Sequence, residues 1–504
     1  MFNTPIIDYN LLAPILIVLG GALLGVLVEA FIGKTHRARI QITIAMITVV
    51  IAFAWVIKIH KALSPVAAVA SVSIDGMGLV LQGTVLALAF VALMFIAQDN
   101  HFAPVAAALP GSEEEAEATV SGTQMTEVYP LVLFAISGMM LFPIAHDLIT
   151  LFVGLEVLSL PLYIITGLAR RRRILSQEAA LKYFLLGAYS SAFFVFGGAF
   201  LYGYSGSLSL ATIRQTTITP GSNHIFLFIG MIFVTVGLLF KVGAVPFHAW
   251  TPDVYQGAPT AITGFMAACT KVAAFGALLR IYFVGFSGVA NDWKPILTTI
   301  AIITMVGGSI AAIAQKDVKR TLAYSSITHA GFLLVGIVAL NRAGLTAMLF
   351  YLVAYGFATL GAFGVVTLVQ DSSGEVSDLN RWAGLAKKSP WVATAFSLFL
   401  LSFGGIPLTS GFIAKFSIFT AAYASGNIAI VVVGVISSAI ALFFYLRVVL
   451  TLFFKEPTAE SATVAVPSLM MKIGIGIAFA ITLVLGVYPN LLFNLVQSLS
   501  NLLV

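Results

Sequence analysis

Charged residues and cysteine are both scarce in this sequence. Only 9% of its 504 residues are charged, whereas soluble proteins carry about 25% charged residues. Together with 60% hydrophobic residues and a mean hydropathy of +1.04, this scarcity predicts a polytopic membrane protein. Cys269 is the only cysteine, which excludes a disulfide within the chain and an iron–sulfur cluster held by its own cysteines.

Signals for nucleic-acid binding, soluble catalysis and secretion are also missing. The net charge of +6 comes from basic residues scattered over short loops, without the basic, aromatic-interleaved patch that nucleic-acid binding needs. We find no nucleotide-binding glycine motif, zinc-ligand spacing or nucleophile elbow. The N-terminal MFNTPIIDYN lacks a basic region, so the first apolar run is predicted to be a membrane span and not a cleaved signal peptide.

Long apolar runs dominate the chain instead. A membrane-crossing helix needs about 17–25 residues, and the runs of this length predict about fourteen helices. The predicted helices lie at about 11–31, 39–57, 78–97, 129–146, 148–168, 182–203, 224–243, 258–285, 295–314, 322–340, 344–369, 391–422, 427–454 and 472–497. Basic residues, among them Lys316, Lys319 and Arg320, concentrate in the loops of one side, which predicts that both termini lie outside. The 98–128 loop contains the acidic stretch SEEEAEATVSG and is predicted to be a solvated inside loop, with a subunit contact as the alternative.

The stretch 238–271, LLFKVGAVPFHAWTPDVYQGAPTAITGFMAACTK, combines intramembrane lysines with a helix-breaking proline. Lys241 lies five residues before Pro246, which frees the backbone carbonyl of Val242. Lys271 lies midway along the next apolar run. A lysine in hydrocarbon costs about 2.5–3.5 kcal/mol, and a broken helix is tolerated at membrane depth only where it lines a cavity or is buried in protein. We therefore expect a functional site here.

The second half of the chain contains a similar stretch, LSFGGIPLTSGFIAKFSIF. Here Lys415 lies eight residues after Pro407, and this proline frees the backbone carbonyl of Phe403. Two interrupted helices that each carry a lysine, one in each half of the chain, are typical of repeat-built transporters whose sites lie near the membrane midplane.

One acidic residue, Glu156, lies deep within a predicted span. An unpaired buried carboxylate takes up a proton and an unpaired buried lysine loses one, so these residue types favour a Glu156–Lys241 pair. We interpret this pair as functional, and a purely structural ion pair is the alternative.

Three further polar residues are candidates, each with a structural alternative. His248 follows the first proline break, and it can either change charge near neutral pH or be hydrogen-bonded at the break. His329 is either a relay residue or a histidine whose hydrogen bonds are satisfied by Ser325 and Ser326. Lys182 begins its predicted span, where it either takes part in a relay or extends to the membrane interface.

These motifs resemble one family of membrane proteins. The stretches LLFKVGAVPFHAWTPDVYQGAPT, SSITHAGF and GGIPLTSGFIAKF are similar to the antiporter-like membrane subunits of respiratory complex I. KYFLLGAYSSAF, together with a lysine instead of a glutamate at position 415, resembles their subunit N branch, the counterpart of mitochondrial subunit 2. The resemblance implies an all-α polytopic fold of about fourteen transmembrane helices with two inverted five-helix repeats, each containing a broken helix.

The resemblance also divides the chain and assigns a proton relay. It implies N-terminal helices and the acidic loop in 1–128, a first antiporter-like repeat in 129–285, a second, inverted repeat in 295–454 and a C-terminal helix in 455–504. It matches Glu156 and Lys241 to the family's glutamate–lysine pair, Lys271 to its central lysine and Lys415 to its last lysine. Lys182 and His248 match two further polar positions of the family's path. His329 is added to this path as a candidate from its own motif. The run Arg170–Arg173 is not part of the family pattern.

The implied function is that of a proton-translocating membrane-arm subunit of NADH-quinone oxidoreductase, which couples quinone reduction to proton pumping. This chain would hold no metal or cofactor, while other subunits would use NADH, FMN, iron–sulfur clusters and quinone. The expected partners are the other complex I membrane subunits, in a hetero-oligomer, and the lipid bilayer. The expected location is the bacterial plasma membrane, with the thylakoid and the mitochondrial inner membrane as alternatives. A subunit of a sodium/proton antiporter assembly and a structural membrane scaffold are the alternative functions.

Overall fold

The computed structural model describes residues 7–62, 67–69, 71–99, 102, 113, 117, 125–169, 173–219, 224–371, 374–458 and 461–500. Within these ranges the chain is mostly helical, as its composition predicts. Most of the predicted acidic loop 98–128, and Arg170, Arg171 and Arg172, lie outside the described residues.

The helices follow one another along the chain as α1 (Tyr9–Phe31), α2 (Lys34–Ala62), α3 (Gly76–Ile96), α4 (Val128–Leu141), α5 (Leu148–Thr166), α6 (Arg173–Ser205), α7 (Leu210–Thr217), α8 (Ile225–Val242), α9 (Trp250–Gly257), α10 (Thr260–Phe265), α11 (Lys271–Arg280), α12 (Ala290–Ile313), α13 (Val318–Ala339), α14 (Arg342–Val366), α15 (Leu385–Lys388), α16 (Pro390–Gly404), α17 (Ser410–Ala424), α18 (Ile428–Phe454), α19 (Leu469–Val487) and α20 (Asn490–Leu499). A π-helical turn, Met266–Thr270, joins α10 to α11, and a second, Ile281–Gly285, continues α11.

Twelve helices in the described ranges are long and apolar enough to cross a membrane. Two shorter apolar segments, Val128–Ile144 and Pro390–Gly404, add to this set. The predicted all-α polytopic class is therefore confirmed. The predicted count of fourteen spans and the outside location of both termini stay predictions.

Some predicted bounds differ from the structure. The predicted run 472–497 is two helices, α19 and α20, because Pro489 between them cannot donate the backbone hydrogen bond that would continue α19. α6 begins at Arg173, well before the predicted start at residue 182. Lys319 was predicted in a loop, but it lies in the first turn of α13 and is buried.

Short strands that the apolar runs do not predict lie between the helices. β1 (Ala67–Val69) and β2 (Val72–Ile74) form an antiparallel hairpin ahead of α3. β3 (Val369–Asp371) pairs antiparallel with both β4 (Gly374–Glu375) and β5 (Thr463–Val464). These strands join segments that follow α14 to the segment that precedes α19.

Both predicted helix breaks are present, and they have the same local structure. α8 and α16 each end at a glycine in the left-handed region, Gly243 with φ 72° and Gly405 with φ 80°. The N–H of Gly243 donates to the carbonyl of Phe240, and the N–H of Gly405 donates to the carbonyl of Ser402, both at 3.0 Å. Glycine adopts this conformation without the steric cost that a Cβ atom brings.

The order of elements is the same in two consecutive stretches. In 129–285, α4, α5 and α6 precede the broken pair α8–α9 and the long helix α10–α11. In 295–454, α12, α13 and α14 precede the broken pair α16–α17 and α18. Each stretch contains five such segments, and if each segment crosses the membrane once, the second stretch would begin at the opposite face. This order supports the expected pair of inverted repeats, whose bounds stay a prediction.

The long helix α10–α11 lies at the centre of the bundle and is buried on almost all sides. At one of its ends the N–H of Ala261 donates to Asp99 Oδ2 at 3.2 Å, beyond the last turn of α3. At the other end Arg280 pairs with Asp75, which caps the first turn of α3. The two helices are therefore antiparallel. Lys271 lies roughly midway between these polar ends, about 15 Å from each at 1.5 Å per helical residue.

Candidate functional site

Three of the predicted lysines are buried within the helical bundle. Lys241 has 7% of its surface exposed, and Lys271 and Lys415 have 4% each. They come from three different helices, α8, α11 and α17. Among the described residues, no carboxylate oxygen lies within 4.0 Å of the Nζ atom of any of the three. Each amine is held by neutral oxygen atoms instead.

Lys241 lies in the last turn of α8, and its side chain reaches α5. Its Nζ atom donates to Ser159 Oγ and to Tyr163 OH, each at 2.9 Å. Glu156 lies on the same face of α5, because residues spaced i, i+3 and i+7 share one side of a helix. Glu156 and Lys241 also interact electrostatically. One face of α5 therefore carries the carboxylate and both acceptors of the amine.

The expected Glu156–Lys241 pair is not a direct ion pair in this structure. No carboxylate oxygen of Glu156 lies within 4.0 Å of Lys241 Nζ. The buried Oε1 atom of Glu156 has no hydrogen-bond partner among the described residues. Ser159 and Tyr163 lie one and two helical turns after Glu156 in α5, and their hydroxyl groups lie next to the Lys241 amine instead. Their spacing along α5 brings these hydroxyl groups level with the end of α8.

Lys271 reaches α13 from the central helix. Its Nζ atom donates to Ser326 Oγ at 2.6 Å and to the Ser326 carbonyl, and it lies 5.2 Å from the centre of the Tyr355 ring. The hydroxyl of Tyr255 lies 3.5 Å from the same Ser326 Oγ. The π-helical turn Met266–Thr270 ends directly before Lys271, and such turns occur frequently at functional sites.

A network of hydroxyl and imidazole groups lies between Lys271 and Lys415. Ser325 is hydrogen-bonded to Tyr445 OH, and this hydroxyl lies 3.4 Å from His329 Nε2. His329 Nδ1 lies 2.6 Å from Tyr351 OH. His329 is therefore satisfied by two tyrosines and not by Ser325 and Ser326, which was the structural alternative. Its ring also interacts electrostatically with both lysines.

Lys415 lies in the second half of the late broken helix and binds the end of the first half. Its Nζ atom donates to the Phe403 carbonyl at 2.7 Å, to the Gly404 carbonyl at 3.3 Å and to Ser438 Oγ at 2.8 Å. The Phe332 ring centre lies 4.6 Å from the charge, a cation–π distance. The amine thus binds the C-terminal end of α16, where the helix dipole favours a cation.

The last two predicted residues lie at the edges of this arrangement. His248 lies in the first helix break, its buried Nδ1 atom has no partner among the described residues, and its ring centre is 6.5 Å from that of Tyr324. Lys182 is half-exposed and pairs with Glu178 at 2.7 Å and Asp253 at 2.8 Å. The structure therefore does not bring Lys182 into the buried set.

Two other buried cations, Arg280 and Lys319, differ from Lys241, Lys271 and Lys415 because each has a carboxylate partner. Arg280 and Asp75 form an ion pair in which both side chains are 0% exposed. Lys319 Nζ lies 3.4 Å from Glu375 Oε1 and donates to the Ala258 carbonyl at 2.9 Å. These two pairs lie at opposite ends of the central helix, where they tie it to neighbouring elements.

Half-buried His146 lies beside the Arg280–Asp75 pair, in the connection between α4 and α5. Its Nδ1 atom lies 2.8 Å from Ser73 Oγ. Burial and the positive charge of Arg280 lower the pKa of His146, and they outweigh the negative charges of Asp75 and Asp147. The neutral imidazole is therefore favoured at this end of the bundle.

The hydroxyl groups that bind the lysines were not identified from the sequence, which suggested Ser326 only as a partner of His329. Ser159 and Tyr163 had a usable signal, because they follow Glu156 at helical spacing on one face of α5. Tyr445 lies in an apolar stretch of α18 that carries no such pattern around it. Its role becomes visible only when α18 packs beside α13 and brings its hydroxyl to Ser325.

The sequence matches the family described as NADH:quinone oxidoreductase/Mrp antiporter, TM, over residues 145–441, which is more than half of the chain. Relatives named NADH-quinone oxidoreductase subunit N match over nearly their whole length. The relative from Rhodococcus opacus is 52% identical, with 96% of this chain and 94% of the relative covered. The relative from Mycobacterium tuberculosis is 47% identical, with 99% of both chains covered.

Solved structures show the same fold. A chain in the structure of respiratory complex I from Thermus thermophilus with bound aureothin matches with a TM-score of 0.79 and 30% identity, covering 95% of this chain and 98% of that one. A chain of the Mrp complex from Dietzia sp. matches with a TM-score of 0.82 and 22% identity, covering 97% and 96%. At 22% identity, the match to the Mrp chain shows only that the two proteins share a fold.

Proposed function

Because this chain belongs to the NADH-quinone oxidoreductase subunit N family, we propose that it moves protons through the membrane arm of complex I by way of its buried lysines. The chain is an antiporter-like membrane-arm subunit of that complex. The proposed path runs through five residues: Glu156, Lys241, Lys271, His329 and Lys415.

The observation that carries this proposal is that Lys241, Lys271 and Lys415, unlike buried Lys319, lack a carboxylate partner among the described residues. Burial disfavours the charged form of a lysine, whereas an adjacent carboxylate favours it. A buried lysine that is held by neutral oxygens can therefore exchange its proton more readily than one in an ion pair. Arg280 differs from these lysines in two ways: its guanidinium stays protonated, and it pairs with the carboxylate of Asp75. It fits a structural role.

Glu156 and Lys241 form the first step of the proposed path. The carboxylate is close enough to influence the amine, so a shift of Glu156 towards or away from Lys241 would change how strongly the amine holds its proton. Each unit of pKa difference corresponds to about 1.4 kcal/mol. A hydroxyl both accepts and donates hydrogen bonds, so Ser159 and Tyr163 can remain bonded to the amine in either protonation state.

The same hydroxyl chemistry continues from Lys271 towards Lys415. Ser326 Oγ can accept a hydrogen bond from the charged amine of Lys271 or donate one to the neutral amine. His329 can carry a proton on either ring nitrogen, and tyrosine hydroxyls contact both nitrogens. Lys415 binds two carbonyls and the hydroxyl of Ser438. Its amine, like that of Lys271, is therefore held by both carbonyl and hydroxyl oxygens.

Between Lys241 and Lys271 the described contacts are mostly aromatic. Tyr183 stacks on Trp250 with ring centres 4.8 Å apart, and Trp250 lies 6.3 Å from the Tyr255 ring, whose hydroxyl faces the Lys271 site. We propose that water molecules complete this part of the path, because a bridging water replaces a direct hydrogen bond at small cost.

We propose that Lys182 and His248 serve the inlet of this path. Lys182 shares Asp253 with Arg320, which pairs with the same carboxylate at 2.9 Å. This half-exposed ion cluster joins α6, α9 and α13 where the first broken helix ends. His248 lies inside the break itself, and its Nδ1 atom, which has no hydrogen-bond partner among the described residues, can take part in reloading Lys241.

The free energy for transport comes, in this proposal, from quinone reduction by other subunits of the complex. The described residues contain no group of three or more His, Cys, Asp or Glu that could hold a metal ion. We place NADH, FMN, the iron–sulfur clusters and the quinone in those other subunits, and the whole assembly in a bacterial plasma membrane, since the relatives named above are bacterial.

The test is the substitution Lys271→Met in the assembled complex. It removes the exchangeable proton and leaves an unbranched side chain of similar length. We expect NADH-driven proton pumping, measured in membrane vesicles and normalised to assembled complex, to fall by about a hundredfold, the lower range of what a positioned proton-transfer group contributes. Lys241→Met should act in the same direction.

The matched control is Lys455→Met, which removes an exposed lysine just beyond α18. This variant should pump like the unchanged protein. Full pumping by the Lys271→Met complex would contradict the relay and favour a scaffold role for this subunit. Pumping that persists without NADH oxidation and depends on sodium would favour the antiporter alternative.

A further inference from the structure

A groove of about 790 Å³ lies between α16 and α19, and its lining includes none of Lys241, Lys271 and Lys415. Its apolar wall is formed by Thr394, Ile475, Gly476 and Phe479, and one end carries Trp391 and Lys472. Lys472 lies in the first turn of α19 and Trp391 in the first turn of α16, so the polar end is where both helices begin.

Lys472 is an exposed cation. Its side chain makes no hydrogen bond or ion pair with any described residue, and only its backbone N–H is bonded, to the Ser468 carbonyl at 3.0 Å. Lys388 lies two residues before α16 and donates to the carbonyls of Ser461 and Ala462 at 3.0 and 3.2 Å, and no described acidic side chain pairs with it. The Lys472 amine places a positive charge at the polar end of the groove, while most of the remaining lining is apolar.

We propose that this groove binds one anionic phospholipid, with an acyl chain between α16 and α19 and the phosphate beside Lys472. The charge at one end and the apolar wall beyond it match the two parts of such a lipid. Trp391 fits this depth, because tryptophan is enriched at the boundary between headgroups and hydrocarbon. From Lys472 to Phe479 the wall is about 10 Å long, enough for the upper part of an acyl chain.

Gly476 supplies a way to close the groove without disturbing the protein. A Cβ atom at this position would meet no other atom within 4 Å, so Gly476→Phe should project its ring into the groove. Gly20 in α1 has the same open surroundings, which makes Gly20→Phe the matched control. Lys472→Gln removes the charge and keeps a polar side chain of similar reach.

The experiment uses the intact complex in lipid nanodiscs that contain photoactivatable phosphatidylglycerol or phosphatidylcholine with identical acyl chains. Labelled peptides that carry Trp391, Thr394, Ile475 or Phe479 are quantified by mass spectrometry. We expect about fivefold more labelling by phosphatidylglycerol, which corresponds to the roughly 1 kcal/mol that one lysine contributes near an anionic lipid. Lys472→Gln should remove this preference, and Gly476→Phe should reduce labelling by both lipids, whereas Gly20→Phe should change neither.

Three results would overturn the proposal. Equal labelling by both lipids means that only ordinary bilayer lipid contacts the groove. A preference that survives Lys472→Gln places the phosphate elsewhere. Labelling by neither lipid, with cross-links from these peptides to another subunit, makes a protein the occupant. Neither Lys472 nor Gly476 belongs to the proposed proton path, so both variants should pump normally and the two proposals fail or succeed separately.

Discussion

The amine of Lys415 donates a hydrogen bond to the backbone carbonyl of Phe403, at 2.7 Å. This carbonyl is the one that Pro407 leaves free, because proline has no N–H to donate to the fourth residue before it. Lys241 lies at the end of α8, the other helix that stops at a glycine. The Lys415 amine therefore binds the C-terminal end of α16, and Lys241 lies in the last turn of α8. The helix dipole stabilises a cation at such an end.

Replacing Lys415 by arginine separates charge from proton exchange. Lys415→Arg keeps a cation that can bind the end of α16, but a guanidinium does not release its proton in proteins. We therefore expect a complex that assembles but whose NADH-driven pumping falls by at least about a hundredfold, the lower end of the range for a lost proton-transfer group. Blue-native gels report assembly and a pH-sensitive dye reports pumping. An arginine variant that pumps fully would show that Lys415 acts as a fixed charge.

The hydroxyl of Tyr445 links Ser325 to His329, so Tyr445→Phe should slow pumping several-fold. Tyr282→Phe is the matched control, because Tyr282 is equally buried and its hydroxyl bonds to Thr235 at 2.7 Å, away from the lysines. Tyr282→Phe loses one buried hydrogen bond and Tyr445→Phe loses two, each worth about 1 kcal/mol of stability. Thermal inactivation should therefore shift in both variants, while pumping changes only in Tyr445→Phe. A similar pumping rate in the two variants would remove Tyr445 from the path.

The Arg280–Asp75 pair is predicted to support the fold. Asp75→Asn leaves the buried guanidinium without its counter-charge, and breaking a buried pair from one side costs about 3–5 kcal/mol. We expect little assembled complex and early thermal inactivation. Glu456→Gln is the control, since it breaks an exposed pair with Lys387 worth about 1 kcal/mol or less. Equal amounts of complex from the two variants would contradict the structural role.

The lowered pKa of His146 predicts a pH dependence of stability. Because the folded protein favours the neutral imidazole, the unfolded chain binds more protons once the pH falls below 6.5, the ordinary value of this group. Stability should therefore decrease as the pH falls through this window. His146→Gln should lose less thermal stability than the unchanged protein between about pH 7.5 and about pH 5.5, on either side of the ordinary histidine pKa.

The control for this comparison is exposed His36. His36→Gln should follow the unchanged protein at both pH values, as followed by thermal inactivation of the purified complex. Parallel pH curves for His146→Gln and the unchanged protein would mean that His146 does not contribute.

The lysines of the site could be predicted from the sequence, but their partners could not. A lysine within an apolar run can be recognised from the sequence alone. The free-energy cost of its charge in hydrocarbon makes it a candidate functional residue whatever the fold. The acceptor of Lys241 lies 82 residues earlier, and that of Lys271 lies 55 residues later. The expected direct contact with Glu156 was wrong for this structure because Ser159 and Tyr163 lie closer to the amine.

The sequence by itself determined the all-helical membrane class and the two interrupted helices. These properties follow from local causes: apolar length, the missing N–H of proline and the left-handed conformation that glycine accepts. Only the tertiary structure decided which buried cations have acidic partners, as Arg280 does, and which are left with neutral oxygens, as Lys271 is. Pairing at such distances along the chain depends on how helices pack, and no local pattern encodes it.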